Sequence, residues 1–165
     1  MGIDPGSETL GWGVIERNGS KYRGIAYGCV KSNPKDDFSK RLEKIYEGLV
    51  NVIDQFAPES LAVEEAFYAQ NVKVAMKLGQ VRGVVLLLGE QKALDIAEYS
   101  PRFVKKTVVG YGNAEKHQVQ EMVKVLLSLD ELPEPHDAAD ALALAICHFH
   151  SDFGNARIKM AGKDL

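Results

Sequence analysis

The first 30 residues alternate apolar and polar positions in a way that predicts three short strands. Residues 2–4 form the first predicted strand, and residues 10–17 the second, with small residues interspersed. Asn18-Gly19-Ser20 is typical of a hairpin turn and leads into a third strand at about residues 21–30. The chain therefore begins with a small antiparallel sheet.

The rest of the chain alternates helical and strand patterns. After the Asn33-Pro34 break, apolar residues recur at helical spacing from about residue 36 to 56. "SLAVEEAF" and "DIAEYS" predict two further strands, at residues 60–67 and 95–100. Helices are predicted at about 72–93, 101–109, 115–129 and 137–149. This order predicts a mixed five-stranded sheet flanked by helices, in the α/β class.

The predicted helix at 72–93 is apolar almost all round, which is typical of a helix buried in a core or against a partner. Gly79 and Gly83 lie four residues apart on it and would allow another element to approach closely. That element could be a second copy of this helix or the sheet of the same chain.

Length and composition predict one ordinary globular domain. The chain has 165 residues, of which 45% are hydrophobic and 26% charged. We expect a single domain over residues 1–153 and a flexible tail over 154–165. No signal-peptide pattern is visible, the longest apolar run is far too short to cross a bilayer, and the two cysteines lack paired or metal-type spacing. We therefore expect a cytoplasmic protein without membrane contact.

Acidic and basic residues are separated along the chain although the net charge is only −3. Residues 130–140 contain several acids and no lysine or arginine, whereas residues 71–92 and 100–121 are rich in both bases. This separation favours an acidic pocket with a positive rim, and a mixed solvated surface is the alternative.

Carboxylates occur at several element ends. Asp4 ends the first strand just before a Pro-Gly turn, and Glu64 and Glu65 end a buried strand. Asp137 and Asp140 lie three residues apart and project from one face of the last helix. Turn chemistry at Asp4 and a helix cap at Asp137 are the simpler explanations.

Asp140 is not explained in that way, because it lies on a strip of alanine and leucine. Like charges in an apolar setting are costly unless a cation neutralises them. If the strand-end acids converge on this helix, they would form an oxygen-only site suited to Mg²⁺ or Mn²⁺ rather than zinc.

Five blocks in this order resemble the RuvC family of Holliday junction resolvases: "GIDPGS…GWGVI", "VEEAF", "MKLGQVRGVV", "VKKTVVGYGNAEKHQVQ" and "DAADALALAICH". The resemblance covers about residues 2–150. It implies a ribonuclease H-like fold, a homodimer, and metal-dependent cleavage of four-way DNA junctions by symmetric nicks in two opposed strands. It also implies a role in recombination and repair, with a branch-migration complex of the RuvA–RuvB type as partner.

The resemblance assigns the family's four catalytic acids to Asp4, Glu64, Asp137 and Asp140, which would hold two Mg²⁺ ions, with Mn²⁺ as a possible substitute. Choosing Glu64 over Glu65 rests on the resemblance alone, because a strand buried on both faces gives no alternation. His136 could add a ligand or proton carrier, or it could cap the helix or face solvent.

The resemblance also assigns DNA contacts to Phe67, Lys105 and Lys116. The lysines would meet phosphates, and the aromatic ring would stack on a base unpaired at the junction. Weaker candidates for DNA contact are Tyr68, Arg102 and Lys106.

Three other functions fit parts of this pattern. A sugar-kinase or actin-like ATPase shares the fold and the turn after the first strand, but it needs two such domains. A non-catalytic junction-binding module would have lost its metals, although all four acids are present here. An RNA-processing nuclease of the RuvX/YqgF type shares the fold and would prefer RNA.

Overall fold

The computed structural model describes residues 1–19, 21–65 and 71–161 of the chain. Phe67 and Tyr68, predicted to contact DNA, lie outside these residues. None of the helices within the described residues is both long and apolar enough to cross a membrane.

Five strands form one sheet in the described part of the chain: β1 (Gly2–Asp4), β2 (Thr9–Asn18), β3 (Lys21–Lys31), β4 (Ser60–Glu64) and β5 (Asp95–Tyr99). Their order across the sheet is β3-β2-β1-β4-β5. The first three strands pair antiparallel, and β4 pairs parallel with both β1 and β5. The predicted mixed five-stranded sheet is confirmed.

Helices cover both faces of this sheet: α1 (Phe38–Phe56), α2 (Val72–Gln91), α3 (Pro101–Val109), α4 (Lys116–Leu127) and α5 (His136–Ala161). Leu49 of α1 and Val85 of α2 share one core cluster with Ile3 of the sheet. The other cluster joins Val123 of α4 and Leu142 of α5 to the sheet. Each face of the sheet thus has its own apolar core.

The amphipathic pattern predicted for α1 is confirmed, since Ile45, Leu49 and Ile53 are buried on one face. The last helix is longer than predicted, because α5 continues past Phe149 to Ala161. The domain boundary at residue 153 stays a prediction.

Helix α2 buries only part of its apolar surface in this chain. Val81, Val85 and Leu88 are buried, whereas Leu87 is 57% exposed and Met76 63%. Among residues 1–19, 21–65 and 71–161, a Cβ atom added at the exposed Gly79 or Gly83 would meet nothing within 4 Å. These glycines therefore do not serve packing against the sheet, and close approach of a second copy of this helix stays as the prediction for them.

Candidate active site

Asp4 and Glu64 end two neighbouring parallel strands, β1 and β4. Ile3 pairs with Val63, so Asp4 and Glu64, the next residue of each strand, lie side by side at the same end of the sheet. Because parallel strands end side by side, the two carboxylates are carried to one place.

Helix α5 brings two more acids to that edge because glycines let it rest directly on the strands. A Cβ atom at Gly11 would overlap the carbonyl oxygen of Asp137, and one at Gly2 would overlap that of Ala141. Gly11 is also the residue that pairs with Asp4 across β1 and β2. The first turn of α5 therefore lies over the end of β1.

The turn after Asp4 is anchored by a buried arginine. The main-chain oxygen of Ser7 accepts a hydrogen bond from the Ser32 hydroxyl at 2.9 Å and another from the Arg41 guanidinium. Arg41 also donates through Nε to the Ser32 hydroxyl oxygen at 3.1 Å, and it is only 5% exposed. These contacts hold the chain that follows Asp4 against the start of α1.

The loop before α5 is held in a similar way. The side-chain amide of the buried Gln120, on α4, donates to the Pro133 main-chain oxygen at 2.8 Å. The Ala138 amide then donates to the oxygen of Pro135 at 2.9 Å and begins the helix. The position of Asp137 is therefore set by α4 as well as by the sheet.

Asp4, Glu64 and Asp140 line one cleft of about 220 Å³, together with Lys105 of α3 and Lys116 of α4. The floor of this cleft is apolar and is formed by Val104, Val119, Ala143 and Leu144. The ammonium nitrogen of Lys116 lies 3.7 Å from Oδ2 of Asp140. The cleft thus combines three half-buried acids with two bases at its rim.

Burial and mutual repulsion keep these acids from ionising easily. Burial raises the pKa of Asp4 to about 8, and the negative charges of Glu64, Asp140 and Asp137 add to the shift, while Lys116 opposes it. The pKa of Glu64 is raised to about 7 by burial and by Asp140. The pKa of Asp140 is raised chiefly by burial, against the pull of Lys116. A cation in the cleft would therefore stabilise the charged forms.

The donor atoms fit a hard divalent cation by chemistry, since they are all carboxylate oxygens. Among the residues that the structure describes, however, no set of three or more Asp, Glu, His or Cys side chains is gathered so that it could hold a metal ion. Ligation would require the carboxylates to draw closer together.

Comparison with known proteins then decides the family. The family model described as crossover junction endodeoxyribonuclease RuvC matches residues 1–148. This chain belongs to the RuvC family.

Curated RuvC proteins match nearly the whole chain. A crossover junction endodeoxyribonuclease RuvC from Desulforamulus reducens is 48% identical over 161 residues, covering 96% of this chain and 98% of that protein. Another, from Caldanaerobacter subterraneus, is 49% identical and covers 92% of each chain. The resemblance inferred from the five blocks is confirmed.

Solved structures agree with this assignment. The structure of Thermus thermophilus RuvC in complex with Holliday junction substrate superposes with a TM-score of 0.86, at 37% identity, covering 93% of this chain and 94% of that one. A second structure of Thermus thermophilus RuvC gives a TM-score of 0.82, also at 37% identity. The ribonuclease H-like fold of RuvC proteins is therefore confirmed for this chain.

The other predicted residues of this RuvC-family chain are placed as follows. Asp137 is half-buried beside the cleft, and its charge raises the pKa of both Asp4 and Asp140. His136 is exposed at the start of α5, and Glu65 is exposed with its amide donating to the Tyr99 oxygen at 2.9 Å. Glu64, not Glu65, faces the cleft.

The predicted lysines differ in their surroundings. Lys105 is half-buried in the cleft wall, whereas the side chain of Lys116 is 68% exposed. Arg102 and Lys106 are exposed on α3 and do not line the cleft.

The sequence reasoning missed the residues that seat α5, Gly2 and Gly11. The pattern "GWGV" in β2 was the available signal, because glycines alternate there with larger residues on the opposite face. A strand with glycine at alternate positions indicates that another backbone lies close to that face.

Proposed function

We propose that this chain is a crossover junction endodeoxyribonuclease. It resolves four-way DNA junctions by nicking two opposed strands symmetrically during recombination and repair. The observation that carries this proposal is the cleft where β1, β4 and α5 bring together Asp4, Glu64 and Asp140, in a chain of the RuvC family. The Thermus thermophilus relative in complex with a Holliday junction substrate supports the choice of substrate.

The reaction we propose depends on a divalent metal, with Mg²⁺ expected and Mn²⁺ as a substitute. Asp4, Glu64, Asp137 and Asp140 would hold two ions. Ions bound between such carboxylates supply a nucleophilic water and stabilise the leaving 3′ oxygen of a phosphodiester. The raised pKa values of Asp4 and Glu64 support this assignment, since carboxylates placed so unfavourably indicate a site made for a cation.

The protein's own contribution is to place the DNA. Lys116 lies beside Asp140 in the cleft and would offset charge on the scissile phosphate, while Lys105 would hold a neighbouring phosphate. Phe67 would stack on a base left unpaired at the junction. Junction recognition would come mainly from shape, because phosphate contacts carry no sequence information.

Symmetric cutting is best served by a homodimer, in which a two-fold axis relates two clefts. The exposed stripe of α2 formed by Met76, Gly79, Gly83 and Leu87 supports this surface as the dimer contact. By family resemblance, the dimer works with a branch-migration complex of the RuvA–RuvB type in the cytoplasm.

The deciding experiment compares wild type with Asp140→Asn on a synthetic four-way DNA junction, with Mg²⁺ and separately with Mn²⁺. Duplex DNA and structured RNA are the substrate controls. Asp130→Asn is the matched protein control, because Asp130 is exposed just before α5 and outside the cleft. We expect paired symmetric nicks from wild type and Asp130→Asn, and no nicks from Asp140→Asn although it still binds the junction.

Two other outcomes would replace the proposal. Junction binding without cleavage in any divalent metal would indicate a binding module. Cleavage of structured RNA in preference to junctions would indicate an RNA-processing nuclease.

A further inference from the structure

Arg82 on α2 reaches the end of the strand that carries Glu64. Its Nε donates a hydrogen bond to the main-chain oxygen of Glu64 at 3.4 Å. A terminal nitrogen of the same guanidinium forms an ion pair with the carboxylate of Glu98. The side chain of Arg82 is 21% exposed, so most of it is shielded from water.

The two acceptors lie on neighbouring strands. Glu98 of β5 pairs with Val63 of β4, immediately before Glu64. One planar guanidinium therefore links α2 to the last residues of β4 and to β5 at once. An arginine suits this role because its donors form a rigid fork, whereas a lysine ammonium is a single point of charge.

This link contacts the main chain of Glu64 itself, at the point where β4 ends. Glu64 is the last residue of β4, and the side chain at a strand end is directed by the main chain that carries it. The partner strand holds the next residue through the Glu65 amide and the Tyr99 oxygen. The hydrogen bond from Arg82 adds a contact from the helix layer to the carbonyl of Glu64 itself.

We propose that Arg82 is a positioning residue, which fixes the end of β4 so that the Glu64 carboxylate faces Asp4 and Asp140 in the cleft. Glu98 anchors the guanidinium for this purpose. The inference rests on the proposed function, because it takes Glu64 to be a metal-binding acid. Its effect should appear in metal response and cleavage rate rather than in DNA affinity.

Two other roles for Arg82 give different results. A contact to a DNA phosphate would weaken junction binding and leave the rate at saturating enzyme unchanged. An ion pair without functional effect would change neither, as is common for pairs on a protein surface.

The experiment uses Arg82→Met and Glu98→Gln, with Arg23→Met as the matched control. Arg23 pairs with Glu16 at 3.5 Å on the far strands β2 and β3, where both side chains are more than half exposed. Three quantities are measured. The first is the cleavage rate at saturating enzyme, and the second is the junction Kd without divalent ion. The third is the Mg²⁺ concentration at which the Tm of the DNA-free protein has reached half of its full Mg²⁺-induced increase.

We expect Arg82→Met to lower the cleavage rate by about tenfold or more and to raise the required Mg²⁺ concentration by a similar factor. Its junction Kd should stay close to that of wild type. Glu98→Gln should change the rate and the Mg²⁺ response in the same direction by a smaller factor. Arg23→Met should leave all three quantities as they are.

An unchanged rate and Mg²⁺ response in both variants would overturn the proposal, as would a weaker Kd with an unchanged rate at saturation. If Arg82→Met does not fold, Glu98→Gln decides the question with the same readouts. If wild type cuts no junction, the proposed nuclease function fails, and the Mg²⁺-dependent Tm of the DNA-free variants still tests the role of Arg82.

Discussion

Gly11 lies against the main-chain carbonyl oxygen of Asp137, with no room for a side chain between strand β2 and helix α5. Gly11 also pairs with Asp4 across the sheet. One close contact therefore sets the distance between the strand that carries Asp4 and the helix turn that carries Asp137 and Asp140. The geometry of the candidate site depends on a residue that has no functional group.

We expect Gly11→Ala to destabilise the protein by about 1–3 kcal/mol, because the added methyl group meets a backbone carbonyl that cannot rotate away. Junction nicking should fall together with stability, since α5 must shift. Urea unfolding and cleavage assays measure the two effects. Gly24→Ala is the control, because its Cβ would meet side-chain atoms rather than backbone: Leu129 at 3.0 Å and Leu127 at 3.7 Å. Equal stability of the two variants would contradict this account of how α5 is seated.

Glu64 and Glu65 are adjacent acids with different surroundings, since Glu64 lines the cleft and Glu65 is exposed outside it. We expect Glu64→Gln to reduce junction cleavage by about a hundredfold or more, because it removes a metal-binding carboxylate. Glu65→Gln should cleave at close to the wild-type rate. Single-turnover assays at saturating enzyme separate the two variants, and a severe loss in Glu65→Gln would show that the wrong acid has been assigned.

The raised pKa of Asp4 predicts a pH-dependent stability of the metal-free protein. Its pKa is about 8 in the folded chain and 3.8 ordinarily, so between these values the folded state holds a proton that the unfolded state has lost. The contribution of Asp4 to stability is therefore greatest below the lower value and declines as the pH rises toward the higher one.

Asp4→Asn removes the loss of folding stability that accompanies ionisation of the Asp4 carboxyl. In EDTA at a pH of about 8 the variant should be more stable than wild type by about 1–3 kcal/mol, and the difference should vanish at a pH of about 4. Chemical unfolding at the two pH values measures it. Added Mg²⁺ should stabilise wild type more than the variant, and a variant less stable than wild type at the higher pH would refute the assigned environment of Asp4.

The sequence predicted most of the elements because their signals are local. Asn18-Gly19 marks the hairpin between β2 and β3, and the acids at strand ends follow directly from where the strands stop. Parallel pairing of β1 and β4 then carries Asp4 and Glu64 to one edge. These features could therefore be predicted without knowing any side-chain contact between distant residues.

The remaining features depend on contacts between distant parts of the chain. The choice between Glu64 and Glu65 was open because the interior of β4 is fully buried, at Leu61, Ala62 and Val63. Gly11 of β2 lies directly against the main chain of α5. Hydrophobic periodicity does not predict a contact between these two distant segments.

The outer face of α2, which is its exposed stripe of Met76, Gly79, Gly83 and Leu87, is a second feature that the sequence pattern could not resolve. Its apolar residues predicted burial, but hydrophobicity alone does not tell whether the covering surface belongs to the same chain. Leu87 is 57% exposed and nothing described lies near Gly79, so the described part of this chain does not supply the cover.

A dimer held by the outer face of α2 should be disrupted by a large charged side chain at Gly79. We expect Gly79→Arg to be monomeric at micromolar concentration where wild type is dimeric, with its Tm little changed because the site is open in the single chain. Analytical ultracentrifugation measures the oligomeric state, and Ser39→Arg is the control, since it adds the same charge at an exposed position on α1. The monomer should also lose the pairing of nicks on opposed strands, because a single cleft then acts on each junction. A Gly79→Arg protein that stays dimeric would place the dimer contact on another surface.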